Sequence, residues 1–277
     1  HSIRRRQRQM CIRDRNSSLC NSVINGVEMN ILLTNDDGYE ASGIQELYKS
    51  LAVDHQVFLI APKGNCSGMS AAISLRKEIE VKEIDKNIYA VSGTPADCSY
   101  LGLLSIISEP IDMIVSGINL GANLGEDIFY SGTVGAAIAG RRLNYVPVAF
   151  SVSAFEPQNL KYIATKAAII TEQAKQLPSD KNLLVNVNFP DLPAPQIAGI
   201  KITKLAKRGI PDTPDLIREN ESSSFYSFGP SGTLMPNQVN TDIQAIRNNY
   251  ISISILDYNL TANESDLQNF ETAFINA

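Results

Sequence analysis

Short apolar runs, separated by helix-like segments, recur along residues 29–190. Each run is short, apolar and bounded by turn residues, which is typical of a strand buried on both faces of a parallel sheet. The runs lie at residues 31–33, 57–62, 89–91, 111–116, 146–151 and 183–188. The first run is followed closely by two adjacent acids, Asp36 and Asp37, and by Gly38.

Helical spacing appears between these strands. Four apolar residues between 44 and 51 recur at the period of a helix with one buried stripe. Pro95 suits the first turn of another helix, Ser131 or Thr133 can cap a third, and residues 162–177 predict a fourth. This alternation predicts an α/β fold: a Rossmann-like, three-layer α/β/α core with a mainly parallel sheet over residues 29–190.

Hairpins are expected in addition to the parallel strands. Residues 73–82 alternate enough to predict a hairpin within the core. After residue 190, prolines separate short segments, and residues 200–205, 224–228 and 250–256 read as strands. We therefore expect a C-terminal β-hairpin-rich extension over residues 191–277, suited to oligomer contacts or to covering a site.

Charge is distributed unevenly along the 277 residues, whose net charge is −5. Six arginines outweigh Asp14 and Glu28 in residues 1–28, so this segment carries +4 and the remainder −9. The negative remainder argues against binding to a nucleic-acid polymer or to anionic lipid, and no apolar run approaches the ~20 residues that span a bilayer. Residues 1–28 are expected to be a disordered or extraneous leader, with Met29 as the natural start.

The cysteines and histidines limit the kinds of metal site and catalytic site that the chain can form. The four cysteines lack C-x-x-C spacing, which favours a reducing, cytoplasmic location over a disulfide framework or a zinc site. The only histidines are His1 and His55, which counts against a histidine-ligated zinc, a phosphohistidine intermediate and a Ser-His-Asp triad. His55 lies in a turn before the second strand and is expected to be solvated.

Oxygen-bearing side chains follow several of the predicted strands, at the edge where open α/β sheets bind ligands. They are Asp36 and Asp37, then Asn65 and Ser67, then Asn119 and Asn123, then residues 131–133. Such hard ligands suit Mg²⁺, Mn²⁺ or Ca²⁺. The glycines beside Asn119 and the helix start near Gly132 would bring N–H groups to an anion. The sequence thus allows a metal-assisted phosphate-ester site, with ordinary turn residues as the simpler alternative.

Five motifs follow one another along the chain: N-D-D-G-Y from residue 35, A-P-x-x-N-x-S-G from 61, S-G-T-P-A-D from 92, S-G-I-N-x-G-x-N from 116 and Y-S-G-T-V-G-A-A from 130. In this order they resemble the SurE family of survival-protein nucleotidases. The later T-D-I-Q-A-I and Y-I-S-I-S-I-L, within residues 241–256, fit the ending of the family. The resemblance covers residues 29–256.

The resemblance implies a metal-dependent phosphohydrolase acting on nucleoside 5′- and 3′-monophosphates, with short polyphosphate as a further substrate of some members. By position, the ligands of one Mg²⁺ or Mn²⁺ per subunit match Asp36, Asp37, Ser67 and Asn119. The phosphate-contacting loop matches Asn123, Ser131, Gly132 and Thr133. The resemblance also implies a homodimer or homotetramer in which subunits exchange the C-terminal extension.

In the expected mechanism, Asp36 or Asp37 orients the attacking water or takes its proton, and which of the two does so stays open. Three alternatives remain. A non-catalytic nucleotide or metal sensor would use the same scaffold. A dinucleotide-dependent redox enzyme would need a glycine fingerprint where Asn35, Asp36 and Asp37 stand. A structural assembly subunit would leave the oxygen-rich loops unexplained.

Overall fold

The computed structural model describes residues 28–179, 182–228, 232–262 and 264–275. Within these ranges the strands are β1 (Asn30–Thr34), β2 (Gln56–Pro62), β3 (Val81–Asp85), β4 (Ile88–Val91), β5 (Met113–Leu120), β6 (Val148–Val152), β7 (Leu183–Phe189), β8 (Gly199–Ile202), β9 (Asp215–Asn220), β10 (Ser223–Ser227) and β11 (Tyr250–Asp257). The α-helices are α1 (Ser42–Leu51), α2 (Pro95–Leu101), α3 (Gly132–Ile138), α4 (Leu160–Ala174), α5 (Asp242–Arg247) and α6 (Glu264–Ile275).

One nine-stranded sheet organises the fold, in the order β3-β4-β2-β1-β5-β6-β7-β11-β8. The strands from β4 to β7 run parallel, and β1 pairs with β2 on one side and β5 on the other. The chain therefore reverses its direction of winding at β1. The crevice beyond the carboxyl ends of β1 and β5 is the topological switch point, where open α/β sheets place their ligands.

Helices cover both faces of this sheet because successive side chains of a strand point to opposite faces. Ile31 and Leu33 of β1 join one core cluster with residues of α1 and α4. Leu32 joins a second cluster with residues of α2, and α3 packs on the same side as α2. The prediction of a three-layer α/β/α core with a mainly parallel sheet is confirmed.

Local caps fix where the helices begin. Thr94, the residue before α2, and Asp97 in its first turn form a capping box, so the helix starts at the predicted Pro95. Ser131 is the N-cap of α3, and its hydroxyl accepts a hydrogen bond from the Val134 N–H at 3.1 Å. Of the two caps that the sequence allowed for this helix, Ser131 is therefore the one in use.

The hairpin predicted at residues 73–82 is wrong. The antiparallel pair forms further along the chain, between β3 and β4, where Asn87 takes a positive φ of 63° in the turn. Residues 72–74 are instead held by the α2 capping box, because Thr94 Oγ1 donates to the Ala72 carbonyl at 2.6 Å and Asp97 Oδ1 accepts from the Ser74 N–H at 3.0 Å.

Segments beyond residue 190 contribute to two sheets. β11 pairs antiparallel with β7 and parallel with β8, so both complete the main sheet. β9 and β10 form a separate antiparallel hairpin, which confirms the C-terminal hairpin of the predicted fold. The domain boundary at 190 stays a prediction, and residues 1–27 of the predicted leader lie outside the described residues. No helix in the described ranges is long and apolar enough to cross a membrane.

The expectation that His55 is solvated is wrong. Its exposed fraction is 9%, its Nδ1 accepts a hydrogen bond from the Met29 N–H at 3.4 Å, and its Nε2 lies 2.8 Å from Glu172 Oε1. Burial lowers the pKa of His55, and Glu172 opposes that shift. His55 also lines a cavity of about 580 Å³ between α1 and α4, which contains none of the predicted site residues.

A substitution at His55 should change how stability depends on pH. Because burial keeps the folded-state pKa below 6.5, the unfolded chain takes up a proton first as the pH falls, and the folded state loses stability below about 6.5. We expect His55→Gln to destabilise the protein more at pH 7.5 than at pH 5.5, as measured by urea unfolding. A penalty that is constant or larger at pH 5.5 would contradict this assignment.

Candidate active site

Asp36 and Asp37 are placed in the switch-point crevice by a tight turn after β1. The fully buried Asn35 side chain accepts a hydrogen bond from the Gly38 N–H at 3.2 Å and donates to the Gly38 carbonyl at 2.9 Å. Gly38 has a φ of 107°, which glycine adopts readily and other residues do not. These two hydrogen bonds close the turn from Asn35 to Gly38 and fix the direction of the two acids within it.

Asp36 lies against the start of α3. Only 4% of the residue is exposed, and its Oδ1 accepts a hydrogen bond from Thr133 Oγ1 at 2.6 Å. A Cβ on Gly132 would stand 2.8 Å from the Asp36 Cβ, so only glycine fits beside this carboxylate. Burial raises the pKa of Asp36, and the Thr133 hydroxyl with the N–H groups of Gly132 and Thr133 opposes the rise.

Asp37 is held by the end of β5. Its Oδ2 accepts a hydrogen bond from the Leu120 N–H at 2.9 Å, while no described residue donates to its Oδ1. Burial raises the pKa of Asp37 to about 6, the Leu120 N–H opposes the rise, and the charge of Asp36 adds to it. Two ionised carboxylates side by side are unfavourable here, so a cation beside Asp37 would stabilise the pair.

Ser67 lies in the loop after β2 and Asn119 lies in β5, and both of these segments contact the turn that contains the acids. The Cys66 N–H donates to the Asp36 carbonyl at 2.7 Å, and the exposed Ser67 is the next residue after this contact. Asn119 precedes Leu120, the donor to Asp37. The Asn119 amide nitrogen donates to the Gly121 carbonyl at 2.7 Å, which leaves the amide oxygen available as a ligand.

The predicted metal ligands fit a hard dication. They supply two carboxylates, a hydroxyl and an amide oxygen, and Mg²⁺ or Mn²⁺ completes such a partial set with water. Across the described residues, no group of three or more His, Cys, Asp or Glu side chains could hold a metal ion. A site here therefore depends on the neutral oxygens of Ser67 and Asn119 as well as on the acids, and its occupation by metal stays a prediction.

The segment from Asn123 to Thr133, hereafter the anion loop, contains the four predicted phosphate contacts. Thr133 is fully buried, and its hydroxyl accepts from Asn123 Nδ2 at 3.3 Å and donates to Asp36. The Ser131 hydroxyl caps α3. These residues are brought together with Asp36, but both hydroxyls are already used inside the protein. Contact with phosphate by Asn123, Ser131, Gly132 and Thr133 stays a prediction.

Sequence reasoning missed the residues that hold the anion loop. The Asn123 N–H donates to Asn188 Oδ1, and the Asn123 carbonyl accepts from the side chains of Asn186 and Asn188, each at 2.9 Å. Asn123 Nδ2 also donates to Ser151 Oγ at 2.8 Å. The two asparagines interrupt the apolar strand L-L-V-N-V-N-F at alternate positions, a signal that could have identified them.

Comparison with known proteins gives consistent matches. The family model described as "Survival protein SurE" matches residues 31–212. The chain is 39% identical to "5′-nucleotidase SurE" of Pseudoalteromonas atlantica over 239 residues, covering 86% of this chain and 96% of that protein. It is 40% identical to "5′/3′-nucleotidase SurE" of Wigglesworthia glossinidia brevipalpis over 240 residues, covering 85% of this chain and 94% of the relative.

A solved structure has the same fold. The crystal structure of the SurE protein from Aquifex aeolicus superposes with a TM-score of 0.77 at 33% sequence identity. The match covers 88% of this chain and 99% of the other.

Substitution of Gly132 should disturb cation binding through Asp36. In Gly132→Ala, the new Cβ would lie 2.9 Å from Asp36 Oδ2, so the carboxylate must move. We expect the Mn²⁺ affinity, measured by isothermal titration calorimetry, to fall by roughly tenfold or more.

Gly64→Ala is the matched control, because no atom lies within 4 Å of a Cβ at Gly64. It should keep the affinity of the unmodified protein. Equal affinities of the two variants would contradict the placement of Asp36, and failure of the unmodified protein to bind Mn²⁺ would contradict the metal prediction itself.

Proposed function

Because the chain belongs to the SurE family, we propose that it is a 5′-nucleotidase that hydrolyses nucleoside monophosphates at the Asp36–Asp37 crevice. The observation that carries this proposal is the pair of adjacent carboxylates, held at the switch point by α3 on one side and β5 on the other. The relative from Wigglesworthia is named for 5′ and 3′ activity, which supports 3′-monophosphates as additional substrates. Short polyphosphate is a further substrate that we propose from the family resemblance.

We propose one Mg²⁺ or Mn²⁺ per subunit, held by Asp36, Asp37, Ser67 and Asn119. When bound, such a cation supplies Lewis-acid chemistry: it neutralises charge on a phosphate ester and makes water more acidic. The support is the all-oxygen ligand set and the cost of two neighbouring carboxylates without a counterion.

The other steps of the hydrolysis are carried out by side chains of the protein. Asp37 has an oxygen without a donor among the described residues and a raised pKa, so it suits the orientation of a water or the acceptance of its proton. Asp36 can share this role, and Thr133 fixes its carboxylate. The water attacks phosphorus, the bond from phosphorus to the nucleoside oxygen breaks, and the nucleoside leaves as an alcohol after taking up a proton.

The alternatives have weaker support. The chain after β1 forms the Asn35–Gly38 turn and lacks a glycine fingerprint, which disfavours a dinucleotide-dependent redox enzyme. A non-catalytic sensor of nucleotide or metal would use the same crevice but release no phosphate. A purely structural subunit leaves the buried polar contacts around Asp36 without a purpose.

We also propose self-association through the hairpin of β9 and β10. Every residue of both strands is exposed, and Leu216, Ile217 and Tyr226 present large apolar side chains. Apolar surface of this kind marks contact sites between proteins and supports a homodimer or homotetramer. We propose a reducing, cytoplasmic location, supported by the unpaired thiols of Cys66 and Cys98. No nucleic-acid polymer or membrane is proposed as a partner.

Hydrolysis should depend on Asp37. We expect Asp37→Asn to reduce kcat for AMP in the presence of Mn²⁺ by roughly 10²–10⁴-fold, because the carboxylate that handles the water is lost. Phosphate release is the measurement, and circular dichroism checks that the variant is folded.

The control is Asp191→Asn. Asp191 lies after β7 at the same edge of the sheet, and its carboxylate accepts hydrogen bonds from the N–H groups of Gln158 and Asn159. It should keep nearly full activity. Excess EDTA should abolish the activity of the unmodified protein, and Mn²⁺ should restore it. Full turnover by Asp37→Asn, or turnover insensitive to EDTA, would sink the proposed mechanism.

Assembly should depend on the hairpin. We expect the unmodified protein to be dimeric or tetrameric in light scattering coupled to size exclusion, and Leu216→Lys to shift it to a smaller species. Val53→Lys is the control, because Val53 is 76% exposed at the end of α1, outside the hairpin. A monomeric unmodified protein, or equal masses for both variants, would count against the hairpin as an interface.

A further inference from the structure

We propose that Asp242 is a positioning residue: its buried carboxylate holds the anion loop in the shape that binds the phosphate group of the substrate. The inference rests on the proposed function, since it assigns the anion side of that same site. Asp242 is the first residue of α5, far from the acids in the sequence, and none of its surface is exposed.

The Asp242 carboxylate joins three separate segments through backbone N–H groups. Its Oδ2 accepts from Gly125 in the anion loop at 2.6 Å. Its Oδ1 accepts from Ala206, in the segment after β8, at 3.0 Å and from Ile243 in α5 at 2.8 Å. No Lys, Arg or His forms an ion pair with it in the described part of the chain. Its hydrogen bonds therefore serve to hold backbone.

Gly125 packs tightly where Asp242 holds it. A Cβ at this position would lie 2.7 Å from the Ala206 carbonyl oxygen, and the φ of Gly125 is 59°. The backbone of the anion loop thus rests directly on the segment after β8. Loss of the Asp242 acceptor would leave a buried N–H of this loop unpaired, which costs more than the hydrogen bond itself contributes.

The effect should be greatest in the part of the anion loop around Gly125, whose backbone N–H is bound by Asp242, and not at Thr133, which binds Asp36. Gly125 lies two residues after Asn123, whose peptide is fixed from β7 by Asn186 and Asn188. Asp242 therefore supplies a second anchor of the anion loop, and its hydrogen bonds include none to Asp36, Asp37, Ser67 or Asn119. Phosphate affinity should fall when Asp242 is replaced, while metal affinity should not.

Asp242→Asn tests this separation. Asparagine keeps the shape but turns one acceptor into a donor that faces an N–H group. In the Mn²⁺-loaded enzyme, we expect the KM for AMP and the inhibition constant of inorganic phosphate to rise by about tenfold, equivalent to loss of one buried hydrogen bond. The dissociation constant of Mn²⁺ should stay within about twofold.

The matched control is Asp112→Asn. The Asp112 carboxylate also accepts a backbone N–H, from Asn30 at 2.9 Å, and a side-chain amide, from Asn144 at 2.8 Å, but at the opposite edge of the sheet. It should lose stability without a change in KM or phosphate inhibition. Hydrogen exchange of residues 121–131 should accelerate in Asp242→Asn and not in Asp112→Asn.

Unchanged KM and phosphate inhibition in a folded Asp242→Asn protein would overturn the inference, and so would an equal loss of Mn²⁺ affinity. If this variant does not fold, Gly125→Ala strains the same contact from the loop side and should show the same separation. If the unmodified protein hydrolyses no AMP, the proposed function fails. Hydrogen exchange then still decides whether Asp242 holds the anion loop, and unchanged exchange would refute that too.

Discussion

The structure depends on how two adjacent carboxylates are accommodated after β1, at the switch point of the sheet. Asp36 receives the Thr133 hydroxyl and faces the start of α3, while Asp37 receives one N–H from the end of β5. These contacts offset only part of the cost of burial, since the pKa of Asp37 remains at about 6. A dication bound beside Asp37 would remove the remaining cost, which is the reason that we propose a hard cation as a ligand of this crevice.

The polar groups around the acids come from distant parts of the chain, and hydrogen bonds connect them one to the next. Ser151 accepts from Asn123, Asn123 donates to Thr133, and Thr133 donates to Asp36. The side chains of Asn186 and Asn188, in β7, donate hydrogen bonds to the Asn123 carbonyl. β11 pairs with the other edge of β7. The region after residue 190 is therefore part of the support of the crevice, because β11 and Asp242 both belong to it.

Much of this fold was predictable because buried parallel strands leave a strong pattern. The run at 31–33 became the centre of β1, and the residues after it reached the edge where parallel sheets bind ligands. The role of Thr133 was not predictable, since its direction toward Asp36 depends on where α3 packs on the sheet. Local alternation misplaced the hairpin at 73–82 because the capping box of α2, which follows it in the sequence, holds that segment instead.

The most direct test of the central claim is anomalous diffraction from a crystal grown with Mn²⁺. The account predicts one manganese peak per subunit, bound by carboxylate oxygens of Asp36 and Asp37 together with Ser67 and Asn119. A protein whose crevice stays empty at saturating Mn²⁺, or whose manganese lies away from both aspartates, would contradict it.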